Sequence, residues 1–408
     1  MNYEQAYQKL QQFGQEHILK YYEELTETEQ IALLEQIAKT DFSDLAQCGT
    51  KLEVLERGKI APIRVMQIPE ITSKEEAFTK RGVQALQEGK IGAVLLAGGM
   101  GTRLGSDDPK GMYDIGLTKP LYIFECLVNN MMQVVRQTGA WIPLYIMTSE
   151  KNEESTRNFL EEKEFFGYNK DYVSFFVQEM APASDYNGKA YMEEKGRIAT
   201  SPNGNGGWFS SMERCGILDK VHETGVEYLN VFAVDNVLQK IADPCFIGAV
   251  LEEEVAVGAK VIRKNAPDER VGVMCLEDGK PSIIEYYELT EELVNTKDEN
   301  GERVYNFGVI LNYLFRVKDL EEIAAKQLPL HMVEKKINYL DENGNLVKPE
   351  EPNGYKYENL ILDMIQMLET CLPYEIVREK EFAPIKNKTG IDSVESAREL
   401  LKLNQVEL

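Results

Sequence analysis

Residues 94–111 read Val-Leu-Leu-Ala-Gly-Gly-Met-Gly-Thr-Arg-Leu-Gly-Ser-Asp-Asp-Pro-Lys-Gly. The apolar run Ile91–Ala97 that leads into them has the composition of a strand buried on both faces of a parallel sheet. It breaks into a loop carrying Gly98, Gly99, Gly101 and Gly105. Glycines let backbone N–H groups approach a ligand closely and turn through positive φ. Two cations, Arg103 and Lys110, lie in the same loop. A backbone cradle with an arginine and a lysine suits a polyphosphate. A dinucleotide fingerprint, G-x-G-x-x-G opening into a helix, is out of register: Gly99 and Gly101 are followed by Gly105, one residue late, and Pro109 prolongs the loop. A P-loop fails because Gly105 is followed by Ser106 and Lys110 by Gly111. The competing reading is a strand-to-helix turn with incidental charges.

Outward from this loop the chain alternates strands and helices. Strands are expected at Ala93–Leu96, Leu144–Thr148, Val173–Gln178, Tyr228–Val234 and Ala259–Arg263, with helices at Leu121–Gln137, Ser155–Glu162 and Trp208–Lys220. That alternation predicts an α/β fold with a doubly wound, mixed, mainly parallel sheet, whose ligands bind at the carboxyl ends of the strands. The loop at Gly98 and the acid Asp235 both lie at such ends. Val271–Leu276 and Ser282–Tyr286, joined by Glu277-Asp278-Gly279-Lys280, read as a hairpin. Residues 303–317 are strand-like, Leu360–Leu368 is helical, and residues 340–356 are turn-rich, with Asn-Gly pairs at 343–344 and 353–354. Ahead of the sheet, Ile18, Tyr21, Tyr22, Leu25 and then Ile31, Leu33, Leu34, Ile37 mark two amphipathic helices, the second capped by Thr26-Glu27-Thr28-Glu29. His17 is expected on a helix surface. The expected segments are 1–60, N-terminal helical; 61–375, the sheet-bearing part, within which about 256–340 stands apart; and 376–408, a short C-terminal segment.

The 408 residues carry a formal net charge of −23, which argues against nucleic acid or an anionic membrane as partner. A phosphate site must then be a local basic island. Cys48, Cys126, Cys215, Cys245, Cys275 and Cys371 form no C-x-x-C, and with three histidines no zinc cluster is visible. No apolar run long enough for a signal or a span appears. A cytoplasmic protein with reduced thiols is expected.

The glycine loop resembles the L-x-G-G-x-G-T-R-L-G-x-x-x-P-K-G signature of the eukaryotic-type UDP-sugar pyrophosphorylases. It is most similar to the UDP-N-acetylglucosamine pyrophosphorylase branch, through Pro109-Lys110-Gly111-Met112-Tyr113-Asp114-Ile115-Gly116. The resemblance runs from about Gln15 to about Asn387 and implies a Rossmann-like nucleotidyltransferase fold. It also implies a magnesium-dependent transfer in which a sugar-1-phosphate oxygen attacks the α-phosphorus of UTP and pyrophosphate leaves. By resemblance Arg103 contacts the leaving phosphates, Lys110 the α-phosphate region, and Lys386, in Phe382-Ala383-Pro384-Ile385-Lys386-Asn387, reaches back to the phosphates. Gly98 and Gly99 hold the nucleotide. Asp235, in Val234-Asp235-Asn236-Val237-Leu238, is the metal candidate; alone, Asp-Asn is equally a cap or turn. Gln178 has an amide suited to a uracil edge. Residues 202–207, Pro-Asn-Gly-Asn-Gly-Gly, match a second family loop, in which Gly204 contacts uracil and Asn205 the sugar. Gly272, Glu285, Tyr286 and Val309 complete the sugar pocket.

Three departures stand against the family pattern. Asn306-Phe307-Gly308-Val309-Ile310 places Val309 where the family has a sugar-contacting asparagine. Leu360-Ile361-Leu362-Asp363 replaces an aromatic F-x-F-D with an aliphatic wall. Eukaryotic relatives continue into a further C-terminal domain, so the placement of Lys386 and any oligomer built with that domain are expected to differ. N-acetylhexosamine-1-phosphate is the expected acceptor, with glucose- or galactose-1-phosphate the second choice. A non-catalytic nucleotide-sugar sensor is a third reading. A glycosyltransferase is disfavoured because Val234-Asp235-Asn236 is not D-x-D.

Overall fold

All six residues of the strand Ile91–Leu96 are buried, so both of its faces are covered, as an unbroken apolar run requires. The strand lies inside a ten-stranded sheet in a computed structural model that describes residues 1–47, 57–326 and 328–408. In chain order the strands are β1 (Ile60–Ala61), β2 (Ile91–Leu96), β3 (Leu144–Thr148), β4 (Val173–Val177), β5 (Tyr228–Ala233), β6 (Val257–Arg263), β7 (Val273–Glu277), β8 (Lys280–Ile284), β9 (Phe307–Arg316) and β10 (Cys371–Glu375). They are ordered β1-β7-β9-β5-β2-β3-β4; β8 pairs with β7, and β6 pairs with both β9 and β10. The run β5-β2-β3-β4 is parallel, and so is β6 with β10. Strand β9 is antiparallel to β5 and β6, which makes the sheet mixed. Helices Ile68–Gln87, Ile123–Thr138 and Pro244–Glu253 contribute Phe78, Phe124, Leu127, Phe246 and Ile247 to one cluster with Ala93, Leu95 and Ile146.

The expected hairpin is present, with a tighter turn. Strands β7 and β8 pair from Val273↔Ile284 to Glu277↔Lys280, so only Asp278 and Gly279 form the loop. Their φ values of 48° and 81° are those of a two-residue type I′ turn, which matches strand twist. Other expectations fail. Trp208–Lys220 is not a single helix but two, Trp208–Arg214 and Ile217–Glu223, because Gly216 between them is left-handed at φ 68°.

The chain divides into two compact units, each assembled from three segments: Met1–Glu56, Glu179–Gly207 and Leu328–Ile361; and Arg57–Gln178, Trp208–Gln327 and Leu362–Leu408. The linear segments 1–60, 61–375 and 376–408 are therefore not the units of packing. The second unit holds the whole ten-stranded sheet. The first packs helices Tyr3–Gln12 and Glu27–Lys39 on short hairpin strands through Leu10, Leu33, Ile37, Phe42, Ile198 and Tyr357. Thr26 and Glu29 form the expected capping box. The stretch Ile18–Leu25 is not an amphipathic α-helix. It forms two 3₁₀ turns, Glu16–Leu19 and Tyr22–Glu24, neither with a side-chain cap. Tertiary bonds hold it instead: His17 Nε2 lies 2.8 Å from the Ala190 carbonyl, and Lys20 Nζ donates to the Glu342 carbonyl at 2.7 Å. His17 is thus a partly buried tether. Among the described residues Cys126, Cys215, Cys245, Cys275 and Cys371 are free thiols, and no helix is long and apolar enough to cross a membrane; Cys48 lies outside the described residues.

Candidate active site

Strands β2 and β5 are parallel neighbours, with Leu96 opposite Ala233. The chain leaves both at the same edge, so the glycine loop and Asp235 emerge side by side; Val234 N–H still bonds the Leu96 carbonyl at 3.2 Å. The loop folds back on itself. Gly101 N–H donates to the Asp108 carbonyl at 2.8 Å, and Lys110 N–H to the Gly99 carbonyl at 3.1 Å, which returns Lys110 to the start of the loop. A 3₁₀ turn, Thr102–Leu104, plugs Leu104 into the core and leaves Arg103 exposed. Asp108 accepts a hydrogen bond from Ser106 Oγ at 3.1 Å, and among the described residues neither Arg103 nor Lys110 pairs with Asp107 or Asp108. Gln178 follows β4, its N–H donating to the Thr148 carbonyl at 2.8 Å. Its amide lies directly over Gly98: a Cβ there would come within 2.6 Å of Nε2. Glycine is needed at 98 because the amide occupies the space a side chain would take.

Lys386 is brought to Asp235 by a backbone zip. Ile385 N–H donates to the Asp235 carbonyl at 2.8 Å and Val237 N–H to the Ala383 carbonyl at 3.3 Å. Asn236, 5 % exposed, closes the zip from its side chain. Its Nδ2 donates to the Glu381 carbonyl at 2.8 Å, and its Oδ1 accepts from Ala383 N–H at 2.9 Å. Below it the fully buried Lys260 ammonium bonds Glu381 Oε2 at 2.6 Å and Asp243 Oδ2 at 3.2 Å. Lys386 itself pairs with Asp392 at 3.2 Å.

These segments converge electrostatically on Lys110. Burial lowers the pKa of this half-buried ammonium; the Asp235 carboxylate opposes that effect, and Arg103 and Lys386 add to it. Arg103, Lys386 and Asp235 thus all act on Lys110, while Asp392 partners Lys386. Such a gathering of cations suits a polyanion. Beside them opens a cleft of about 910 Å³, lined by Asp235, Asn236, Val309, Phe382, Pro384 and Lys386 among others.

Gly272, Glu285 and Val309 also come together. Val309 N–H donates to the Gly272 carbonyl at 2.8 Å, and Glu285 Oε1 lies 3.5 Å from where a Gly272 Cβ would be. Burial raises the Glu285 pKa, Glu288 adds to this, and Arg57 opposes it. Tyr286 is exposed and packs edge-on against Tyr287 with ring centroids 5.2 Å apart. Gly204 and Asn205 belong to the other unit. Gly204, at φ 88°, lies against the Asn359 carbonyl, where a Cβ would approach to 2.3 Å. Asn205 Oδ1 accepts from Ile361 N–H at 3.0 Å. Leu360 and Leu362 are both partly buried.

Three features escaped the sequence. The zip residue Asn236 was visible only as the neighbour of Asp235. Arg378 and Glu269 form an ion pair in the cleft wall, and Arg270 lines the same wall; nothing in the local sequence distinguishes them from surface charge.

The profile of a family described as UTP–glucose-1-phosphate uridylyltransferase matches residues 39–407. The chain belongs to this family. It is 36% identical to a mouse UDP-N-acetylhexosamine pyrophosphorylase-like protein 1 over 407 residues, covering 94% of this chain and 80% of that one. It is 33% identical to the UDP-N-acetylglucosamine pyrophosphorylase of Saccharomyces cerevisiae, covering 94% of this chain and 86% of the relative. Among solved structures, the UDP-N-acetylglucosamine pyrophosphorylase of Trypanosoma brucei superposes with a TM-score of 0.82 at 27% identity, over 97% of this chain and 83% of that one. A protein from Entamoeba histolytica described as a UDP-N-acetylglucosamine pyrophosphorylase superposes with a TM-score of 0.77 at 31% identity, over 85% and 88%. Members of the family and its named relatives are uridylyltransferases and pyrophosphorylases.

Proposed function

We propose that the protein is a magnesium-dependent UTP:sugar-1-phosphate uridylyltransferase whose acceptor is an N-acetylhexosamine-1-phosphate. The observation that carries this reading is the meeting of the glycine loop, which returns Lys110 to Gly99, with Asp235 and the segment bearing Lys386 at the carboxyl edge of β2 and β5. A phosphate oxygen of the sugar-1-phosphate attacks the α-phosphorus of UTP, and the bond to the bridging oxygen of pyrophosphate breaks. Two anions meet in this step, so charge neutralisation and in-line placement supply the catalysis. Arg103 takes the leaving phosphates, Lys110 the α-phosphate, and Lys386 the phosphates from the opposite wall. Gln178 reads uracil. Gly272, Glu285 and Tyr286 read the sugar, beside an apolar Val309.

The donor set fits magnesium rather than a caged metal. Among the described residues no three His, Cys, Asp or Glu side chains cluster. Magnesium keeps its waters and needs one or two carboxylates plus phosphate oxygens. Asp235 is such a carboxylate: among the described residues its side chain has no hydrogen bond or ion pair, and only its backbone carbonyl is used. The ion, when bound, neutralises phosphate charge. The free thiols support a reducing, cytoplasmic setting.

Pyrophosphate release with UTP, magnesium and a panel of N-acetylglucosamine-, N-acetylgalactosamine-, glucose- and galactose-1-phosphate tests the reading. Preference for an N-acetylated acceptor is the expected result. Val309, which offers no hydrogen bond to a sugar, favours a second reading as a nucleotide-sugar sensor. That reading predicts UDP-sugar binding and no release with any acceptor.

A further inference from the structure

Glu285 lies one residue beyond the last ladder pair of the β7–β8 hairpin, Val273↔Ile284, so the sheet does not fix it. A small turn does. Glu285 N–H donates to Glu288 Oε2 at 3.0 Å, and Glu288 N–H donates to the Glu285 carbonyl at 2.9 Å. Arg57 grips Glu288 in turn, with Nη2 2.6 Å from Oε2 and Nε 3.4 Å from Oε1. The same guanidinium reaches the Ile283 carbonyl at 3.2 Å. Through Nη1 it bonds Glu277 Oε2 at 3.0 Å, at the turn end of the hairpin. Glu277 is fixed further by Gly58 N–H at 2.9 Å and Ser282 Oγ at 2.9 Å. One arginine thus clasps both ends of the hairpin that presents Glu285. Its planar fork makes four hydrogen bonds at once, to two carboxylates and a carbonyl, one more than the three donors of a lysine allow.

We propose that Arg57 is a positioning residue: acting through Glu288, it sets the geometry with which Glu285 meets the sugar. This rests on the reading of Glu285 as the carboxylate that binds sugar hydroxyls. Arg57 also acts through charge. The ionisable groups that interact with Glu285 are Glu288 and Arg57, together with Tyr287 and Tyr313. Burial and Glu288 push Glu285 towards protonation, and Arg57 holds it ionised. A protonated Glu285 accepts fewer hydrogen bonds from hydroxyls. The KM for sugar-1-phosphate therefore rises as the pH falls. Arg57→Ala moves that acid limb to higher pH. Glu288→Gln removes the like charge while keeping an acceptor for Glu285 N–H, and moves the limb to lower pH.

The test is steady-state kinetics against pH, varying UTP and sugar-1-phosphate separately, on wild type, Arg57→Ala, Arg57→Lys, Glu288→Gln and Glu285→Gln. Arg57→Ala is expected to raise the sugar KM about tenfold, as loss of a charge-assisted anchor does, with the UTP KM unchanged. Arg57→Lys recovers part of the loss. The acid limbs of Arg57→Ala and Glu288→Gln shift in opposite directions, which a merely structural role would not produce. If Glu285→Gln raises the sugar KM but Arg57→Ala does not, the proposal is overturned. If Glu285→Gln changes nothing, the sugar reading beneath it is what fails. Should Arg57→Ala not fold, Glu288→Gln still decides: a limb that stays in place or moves upward overturns the proposal.

Discussion

Asn236→Ala tests whether the zip between the end of β5 and the 381–386 segment is what delivers Lys386. The side chain is 5 % exposed and makes two cross-segment hydrogen bonds, to the Glu381 carbonyl at 2.8 Å and from Ala383 N–H at 2.9 Å. Across the zip, truncation leaves the Glu381 carbonyl and the Ala383 N–H without these partners, at about 1–3 kcal/mol each. The sum, about 2–6 kcal/mol, is large against the stability of an ordinary domain. A kinetic effect follows separately. Freed from the zip, Lys386 moves relative to Asp235, and a displacement of about 1 Å in a catalytic arrangement costs on the order of a hundredfold in rate. Urea unfolding, with pyrophosphate release measured well below the unfolding transition, separates the two effects. Asn236→Asp retains an acceptor for Ala383 N–H and is expected to fall between wild type and Asn236→Ala. A destabilisation of Asn236→Ala below about 1 kcal/mol, or a turnover within a few-fold of wild type, would refute the reasoning.

Three further outcomes are expected. Lys110→Met abolishes turnover yet raises the Tm of the ligand-free protein at neutral pH. The lowered pKa of Lys110 means that the folded state penalises its charged form at every pH below the ordinary lysine value, so a neutral side chain relieves the penalty; a lower Tm would contradict this. Gly98→Ala displaces the Gln178 amide, since its Cβ would lie 2.6 Å from Nε2; the UTP KM should rise about tenfold and the sugar-1-phosphate KM should not. Lys260→Met leaves the buried Glu381 and Asp243 to the more exposed Lys240 and costs about 3–5 kcal/mol, read from urea midpoints. Burial alone would raise the Asp243 pKa, but the Lys260 ammonium brings it below the ordinary value. Its stabilising contribution is present above about pH 4 and is lost as the pH falls through the lowered pKa. The deficit of the variant relative to wild type should therefore narrow as the pH falls through that range.

The parts of the site carried by consecutive residues were legible in the sequence. The strand-loop Ile91–Gly111 announced itself because a buried strand, a glycine turn and two cations are all local signals. The β7–β8 hairpin was legible for the same reason, through Asp278-Gly279. What escaped depends on distant segments meeting. Asn236 matters because residues 381–383 lie against it, and Arg57 matters because a hairpin 220 positions later in the chain folds onto it. Local signals also misled where tertiary packing prevailed. Asn353-Gly354 reads as a turn, yet Gly354 opens the strand Gly354–Glu358, where a Cβ would come within 1.9 Å of the Ser184 carbonyl; the glycine serves close backbone approach instead. The periodicity of Ile18–Leu25 reflects burial, but without a capping residue at its start it forms two short turns.

The reverse reaction tests the central claim most directly. Purified protein is incubated with UDP-N-acetylglucosamine, magnesium and labelled pyrophosphate, and label is sought in UTP, with Arg103→Ala and Lys110→Ala run in parallel. The account predicts label in UTP with wild type and none above background with either variant. Wild-type protein that binds the UDP-sugar but transfers no label, or variants that transfer it at the wild-type rate, would contradict it.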